Sequence, residues 1–229
     1  MPAPLPDPPD VSRLLLGIVG GTGPQGQGLA VRFATAGQRV LLGSRVADRA
    51  EAAAAAVRSR VAGADVAGAA NAVVAGDADL VIIAVPWDGH ADTIRSLRAQ
   101  LRGKVVVDCV NPLQFDSHGA FPIAVPEGSA AQQAQVLLPD SRVVGAFHHL
   151  SAVRLADAGS ERVETDVFVL GDDRAATDLV RALADRVPGL RGIYAGRLRN
   201  CGQVEALTAN LISINRRYHA HAGLRVTDV

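Results

Sequence analysis

The chain has 229 residues, 48% of them hydrophobic and 20% charged, and its 23 basic side chains balance 23 acidic ones. That much apolar material fits one large domain or one domain with an appended unit, and the lack of a basic excess argues against nucleic acid as a partner. Cys109 and Cys201 stand far apart without CxxC spacing, and no apolar run reaches the roughly 20 residues that span a bilayer, so the expectation is a cytoplasmic protein without disulfides, structural zinc or membrane anchor.

Residues 1–12 are rich in proline and carry no core pattern, so they are expected to form a disordered tail. From Arg13 onward the pattern alternates. LLLGIVG reads as a short buried strand, Gln25 to Ala36 as a helix, Arg39 to Gly43 as a strand, and Ala47 to Val61 as an alanine-rich helix. Residues 62–77 look irregular. Ala78 to Pro86 is a strand-length apolar run ended by proline; Ile94, Leu97 and Leu101 share one helical face; KVVVDCV is another buried strand. Strands apolar on both faces and separated by helices specify a parallel sheet covered on both sides, the doubly wound Rossmann type of α/β fold. Beyond residue 145 the pattern becomes an α+β extension. Strands are expected at 143–148, 166–170 and 190–194, a helix at 174–187, and a long terminal helix at 200–219 with Asn200 as N-cap and Gln203 completing a capping box. The expected division is a core at 13–145 and an extension at 146–229.

The first strand runs into Gly20-Gly21-Thr22-Gly23-Pro24-Gln25-Gly26, a GxGxxG turn that opens the first helix. Gly21 permits the tight turn, Gly23 lets a pyrophosphate approach the backbone, and Gly26 lets helix and strand pack closely, while the helix N-terminus offers free N–H groups to the phosphates. About 20 residues later a carboxylate would select NAD through its ribose hydroxyl. This chain has Gly43-Ser44-Arg45 there, with Arg49 one helical turn on, which points to NADP.

Ligands of an open parallel sheet lie beyond the carboxyl ends of the strands. Those ends carry Val85-Pro86-Trp87-Asp88, Asn111-Pro112-Leu113 and Phe147-His148-His149. His148 is the suggestive polar residue, placed to hydrogen-bond a carbonyl near reacting atoms; His149 is expected to be structural. His219 and His221 lack a third ligand, so no metal site is expected. Asp172-Asp173 reads as a helix cap. With no nucleophile motif in view, hydride transfer between a nicotinamide and a second ring or carbon fits best.

The combination GGTGPQG (20–26), LGSR (42–45), VPW (85–87), AFHHL (146–150), GDD (171–173) and VEALTANLISIN (204–215) resembles the F420-dependent NADP oxidoreductases from about Leu14 almost to the C-terminus. The resemblance implies direct hydride transfer between NADP(H) and the 5-deazaflavin coenzyme F420, both bound at once, and a homodimer is the expected assembly. It implies that Thr22, Gly23, Pro24 and Gln25 follow the pyrophosphate and that Ser44, Arg45 and Arg49 hold the 2′-phosphate. Val85, Pro86, Trp87 and Asn111, at the strand ends, are expected on the cofactor-binding surface; the resemblance places His148 and Leu150 beside the two rings and has Leu207 help wall the deazaflavin pocket. The sequence departs from the family pattern at Arg49, where lysine is expected, at His149 and Ser151, and in a polar tail after Asn215. Competing expectations are an NADPH-dependent imine or small-carbonyl reductase of the pyrroline-carboxylate type, a flavin or ferric reductase, and a non-catalytic NADP-binding redox sensor.

Overall fold

Burial of short apolar strands from both sides organises the fold. The structure, a computed structural model, describes residues 8–157 and 159–229. Its first half runs β1 (Leu15–Val19), α1 (Pro24–Thr35), β2 (Arg39–Ser44), α2 (Ala47–Arg58), β3 (Val66–Ala70), α3 (Asn71–Asp77), β4 (Leu80–Ile83), α4 (His90–Leu101) and β5 (Val105–Asp108). Successive strand residues face opposite sides. Ile18, Ile82 and Val107 therefore join one apolar cluster with Leu29 and Phe33 of α1 and Ala54 of α2. Val19, Ile83 and Val106 join another with Val74 of α3 and Ile94 and Leu97 of α4. A strand with polar residues on either face could not take these central positions.

The second half adds an antiparallel hairpin, β6 (Leu113–Asp116) with β7 (Gly119–Pro122), then α5 (Ala130–Leu137), β8 (Arg142–Gly145), α6 (Ala152–Ala156), β9 (Thr165–Gly171), α7 (Arg174–Asp185), β10 (Leu190–Gly196) and α8 (Cys201–Tyr218). The eight-stranded sheet has the order β10-β9-β8-β5-β4-β1-β2-β3. Six strands, β3-β2-β1-β4-β5-β8, are mutually parallel, the doubly wound Rossmann order, with the direction of winding switching between β1 and β4. β9 pairs antiparallel to β8, and β10 follows β9 in parallel, so the extension continues the same sheet.

Several local expectations change. Residues 62–77 are not irregular: they hold β3 and α3. The sequence VAGAA hides an edge strand because its residues are small, and Gly68 is required there, since a Cβ would lie 2.2 Å from the backbone of α2. The hairpin and α5 were also invisible to apolar periodicity. The strand expected at 143–148 stops at Gly145, because Phe147 turns the chain with a left-handed φ of 64°. Asn200 makes no side-chain capping bond; it ends a 3-10 turn, Leu198–Asn200, that leads straight into α8. Asp173 does cap α7, accepting from the Ala176 N–H. Residues 1–7 of the proline-rich segment lie outside the described residues. Val11 is already buried, and the Gln38 amide donates to its carbonyl.

The C-terminal residues after α8 return to the sheet edge and are held by one carboxylate. Asp166, fully buried on β9, accepts from Arg191 at 2.7 and 2.8 Å, from Arg225 at 2.7 Å and from the Val226 N–H at 2.6 Å. The Arg191 bonds are the main reason its carboxyl is held far below the usual carboxylate range. A depressed carboxyl stabilises the fold above the unfolded-state pKa, and that contribution is lost as the pH falls toward the folded-state value. Asp166→Asn is expected to cost about 2 kcal/mol at neutral pH and to flatten the acid limb of stability measured by urea denaturation against pH.

Candidate active site

The crevice at the carboxyl ends of β1, β2, β4, β5 and β8 contains two cavities that share Gln25, Ala84, Val85, Pro86 and Asp88. The first, about 820 Å³, lies over the glycine turn and the end of β2. The second, about 620 Å³, lies between the β4, β5 and β8 ends and α8. The shared residues join them side by side.

The first cavity has the chemistry of an anion site. α1 begins with Gly23 as N-cap and Pro24 in its first turn, without a side-chain cap or acidic residue, so its leading N–H groups are left for a ligand. Gly20 makes the turn with φ of 74°, and a Cβ there would strike Val85 at 2.6 Å. Gly26 is needed for contact, since a Cβ would sit 2.6 Å from Gly21 Cα. Gly23 differs: its nearest neighbour would be 3.7 Å away, so only a ligand would meet a side chain there. Ser44 is nearly buried at the cavity edge, and its hydroxyl accepts from the Val46 N–H at 3.3 Å. Arg45 and Arg49 are exposed along the same edge, and neither forms an ion pair among the described residues. Asn71, absent from the sequence expectations, also lines this cavity; its Oδ1 accepts from the Gly20 N–H at 3.3 Å.

The second cavity is mostly apolar. Val85, Pro86, Trp87, Leu113, Phe115 and Leu150 form one part of its wall, and α8 contributes Thr208, Leu211, Ile212 and Asn215 at helical spacing. Leu207 is not among the lining residues; it lies one position off this stripe. The i, i+3, i+4, i+7 pattern from 208 was the signal that could have found the correct face. Asn111 donates to the His148 carbonyl at 2.8 Å, and Thr208 donates to the same oxygen at 3.3 Å. Gln25 donates to the Phe147 carbonyl at 3.1 Å, tying the phosphate turn to the loop after β8.

His148 reaches the cleft with its backbone while its imidazole is turned beneath the floor. The side chain is fully buried, and neither ring nitrogen has a hydrogen-bond partner among the described residues. Burial lowers its pKa to about 4, so the ring is neutral at physiological pH. Glu205 Oε1 lies 3.9 Å from Nε2. Glu205 itself accepts from the Ala130 and Ala131 N–H groups, and burial pushes its carboxyl up to about 7. His149, which also borders the second cavity, has its Nε2 2.7 Å from the Asp166 carbonyl. Below the same floor, His90 Nε2 contacts Asp108 Oδ2 at 2.6 Å and Nδ1 contacts Gln133 Oε1 at 3.0 Å. His90, Asp108 and Gln133 stand outside every motif of the sequence, because the cluster is assembled from five separate elements.

Comparison with known proteins gives a consistent picture. The profile of a family described as NADP oxidoreductase coenzyme F420-dependent matches residues 15–112. A protein named F420-dependent NADP reductase from Methanothermobacter thermautotrophicus is 39% identical over 96% of this chain and 97% of its own length. Another of that name, from Methanocaldococcus jannaschii, is 35% identical over 93% of this chain and 98% of its own. A crystal structure from Arthrobacter sp. FB24, provisionally described as an F420-dependent NADP reductase, superposes with a TM-score of 0.75 at 28% identity, covering 93% of this chain and 99% of that one.

The three glycines of the turn are expected to separate by role. Gly26→Ala should destabilise the fold by about 1 to 3 kcal/mol through overpacking. Gly23→Ala should leave stability within about 0.5 kcal/mol while weakening NADP binding at least tenfold, as measured by calorimetry of ligand binding beside urea denaturation.

Proposed function

Because the chain belongs to the F420-dependent NADP reductases, we propose that it is an NADP-dependent oxidoreductase that passes a hydride directly between reduced coenzyme F420 and NADP in a ternary complex. The observation that carries this reading is the joined pair of cavities: a cationic, helix-ended one sized for a dinucleotide leads into an apolar one able to hold a second flat ring. When both are bound, the nicotinamide and the deazaflavin supply the redox chemistry themselves.

The protein's part is binding and positioning. Thr22, Gly23, Pro24, Gln25 and the N-terminus of α1 hold the pyrophosphate, with Gly21 and Gly26 shaping the turn. Ser44, Arg45 and Arg49 hold the 2′-phosphate; two guanidiniums without an ion pair among the described residues suit a dianion, and Ser44 stands where an NAD site would carry a carboxylate. Val85 and Pro86, shared by both cavities, direct the nicotinamide toward the second cavity. Trp87, Asn111 and Leu150 then border the ring junction, Leu150 through its side chain and His148 through its backbone. Thr208, Leu211 and Ile212 take the walling role expected of Leu207. Residues 13–145 accordingly serve as the NADP-binding unit and 146–229 complete the deazaflavin site. The apolar walls exclude water and hold two rings at near-attack distance, which is where the rate gain arises.

Two coarser points extend the proposal. Among the described residues no helix is long and apolar enough to cross a membrane; we place the enzyme in the cytoplasm, in keeping with its free, buried Cys109 and Cys201. We also propose a homodimer, the commonest closed assembly of a soluble chain. An imine reductase of the pyrroline-carboxylate type is not favoured: residues 142–196 contribute three strands to the sheet where such an enzyme would need a helical dimerisation domain.

Purified protein mixed with NADPH and oxidised F420 is expected to bleach the deazaflavin absorbance, with little turnover from NADH or with free flavin in place of F420. NADP binding without bleaching would contradict the proposed reaction. Arg45→Asp, which sets a carboxylate against the 2′-phosphate, is expected to raise the KM for NADPH at least tenfold while leaving the much weaker NADH activity unchanged.

A further inference from the structure

The buried polar groups under the second cavity include one whose protonation state follows from geometry. Both ring nitrogens of His90 face acceptors: Nε2 meets the Asp108 carboxylate at 2.6 Å, and Nδ1 meets the Gln133 amide oxygen at 3.0 Å. The amide cannot be turned round without loss, because Gln133 Nε2 donates to the Glu127 carboxylate at 3.2 Å. Neutral imidazole carries only one N–H, so two acceptors are satisfied only by the imidazolium. His90 is fully buried, and the indole of Trp87 lies over it with ring centroids 5.4 Å apart and planes 31° from parallel. A cation at that distance is attracted to the indole face. Trp87 in turn lines the second cavity.

We propose that His90 is a positioning residue protonated at neutral pH: as a buried imidazolium held between Asp108 and Gln133, it fixes the Trp87 indole as a wall for the ring bound in the second cavity. The placement of both residues favours this. Trp87 stands in the 3-10 turn between β4 and α4, a segment of three residues with no side-chain cap of its own, and His90 begins the helix that follows. The indole packs at its edge against the apolar cluster of β1, β4 and α4, and the imidazolium is its one aromatic contact among the described residues. The charged groups that act on His90 are Asp108 from β5 and Glu205 from α8, and Glu127, before α5, is tied to its second partner Gln133. All are acidic. Burial opposes the charge, but Asp108, by its field and its hydrogen bond, raises His90 above the ordinary histidine value. A raised histidine stabilises the fold below its unfolded pKa, and that contribution disappears as the pH rises through the folded value.

The assignment of Trp87 to the deazaflavin or nicotinamide rests on the proposed reaction, but the protonation and the stacking do not. Trp87 is the chain's one tryptophan, so its fluorescence reports on this contact alone. Imidazolium quenches an adjacent indole and neutral imidazole does so far less. In the wild-type protein, emission is expected to stay low through neutral pH and to rise in one step on the alkaline side, above the pH where free histidine titrates. Gln133→Leu, which removes one acceptor, should move that step to lower pH, and His90→Gln should abolish it and leave emission high throughout. His90→Gln should also lower kcat/KM for the ring substrate of the second cavity about 10- to 100-fold while leaving NADP affinity unchanged. If His90→Gln does not fold, the wild-type and Gln133→Leu titrations decide the question. A step near the free-histidine value, or one unmoved in Gln133→Leu, would overturn the protonation claim. An unchanged kcat/KM in folded His90→Gln would overturn the positioning role. Loss of F420 turnover in wild-type protein, with the fluorescence step in place, would instead strike the proposed reaction.

Discussion

The whole molecule depends on sealing a parallel sheet of short, wholly apolar strands from both sides. β1, β4 and β5 expose no polar side chain to either face until they end, so function is confined to the turns at their carboxyl ends. The close packing that seals them also sets the geometry of those turns. Gly26 brings α1 against the turn, Gly20 accommodates Val85 of the neighbouring strand end, and the distance between phosphate site and ring site follows from strand spacing. The two cavities meet at Ala84, Val85 and Pro86 because β4 is the strand next to the point where the winding reverses.

Beneath the apolar ring site lies a polar floor that the reaction itself does not call for. His90, Asp108, Gln133, Glu205 and His148 are held there by hydrogen bonds from α5 N–H groups and from one another, and two of them have pKa values far from those of exposed residues. Burying such groups costs stability unless every one is satisfied. Most are. His148 is the exception, and it stands where the chain leaves β8 through the left-handed Phe147. Its imidazole, turned down by that strained residue, frees its backbone carbonyl for Asn111 and Thr208. The loop is thereby joined to both β5 and α8, the two sides of the ring cavity.

Much of this was legible in the sequence. Strong periodicity and long apolar runs revealed the central strands, and GGTGPQG and GSR pointed to the glycine turn and strand end that line the first cavity, because those features are local. What escaped was low in hydrophobic contrast or assembled from distant pieces. VAGAA folds as an edge strand through its pairing with β2, which no local signal announces. Asn71 was missed with it. His148 was expected to hydrogen-bond a ligand carbonyl through its ring, but the ring is buried in the core, a direction that depends on the φ of the preceding residue. The lining face of α8 lay one residue from the expected Leu207, since the direction of a helix is set by packing against α5 and β7 and not by its own composition.

In the proposed reaction the cleft holds two redox rings at once and the hydride crosses between them without passing through the protein or solvent. The most direct measurement is label transfer: NADPH carrying deuterium at the transferred C4 position is oxidised by F420 on the enzyme in ordinary water, and the reduced deazaflavin is examined by mass spectrometry and NMR. The account predicts that the deuterium arrives in the deazaflavin, from one face of the nicotinamide. Reduced deazaflavin bearing only solvent hydrogen would contradict it.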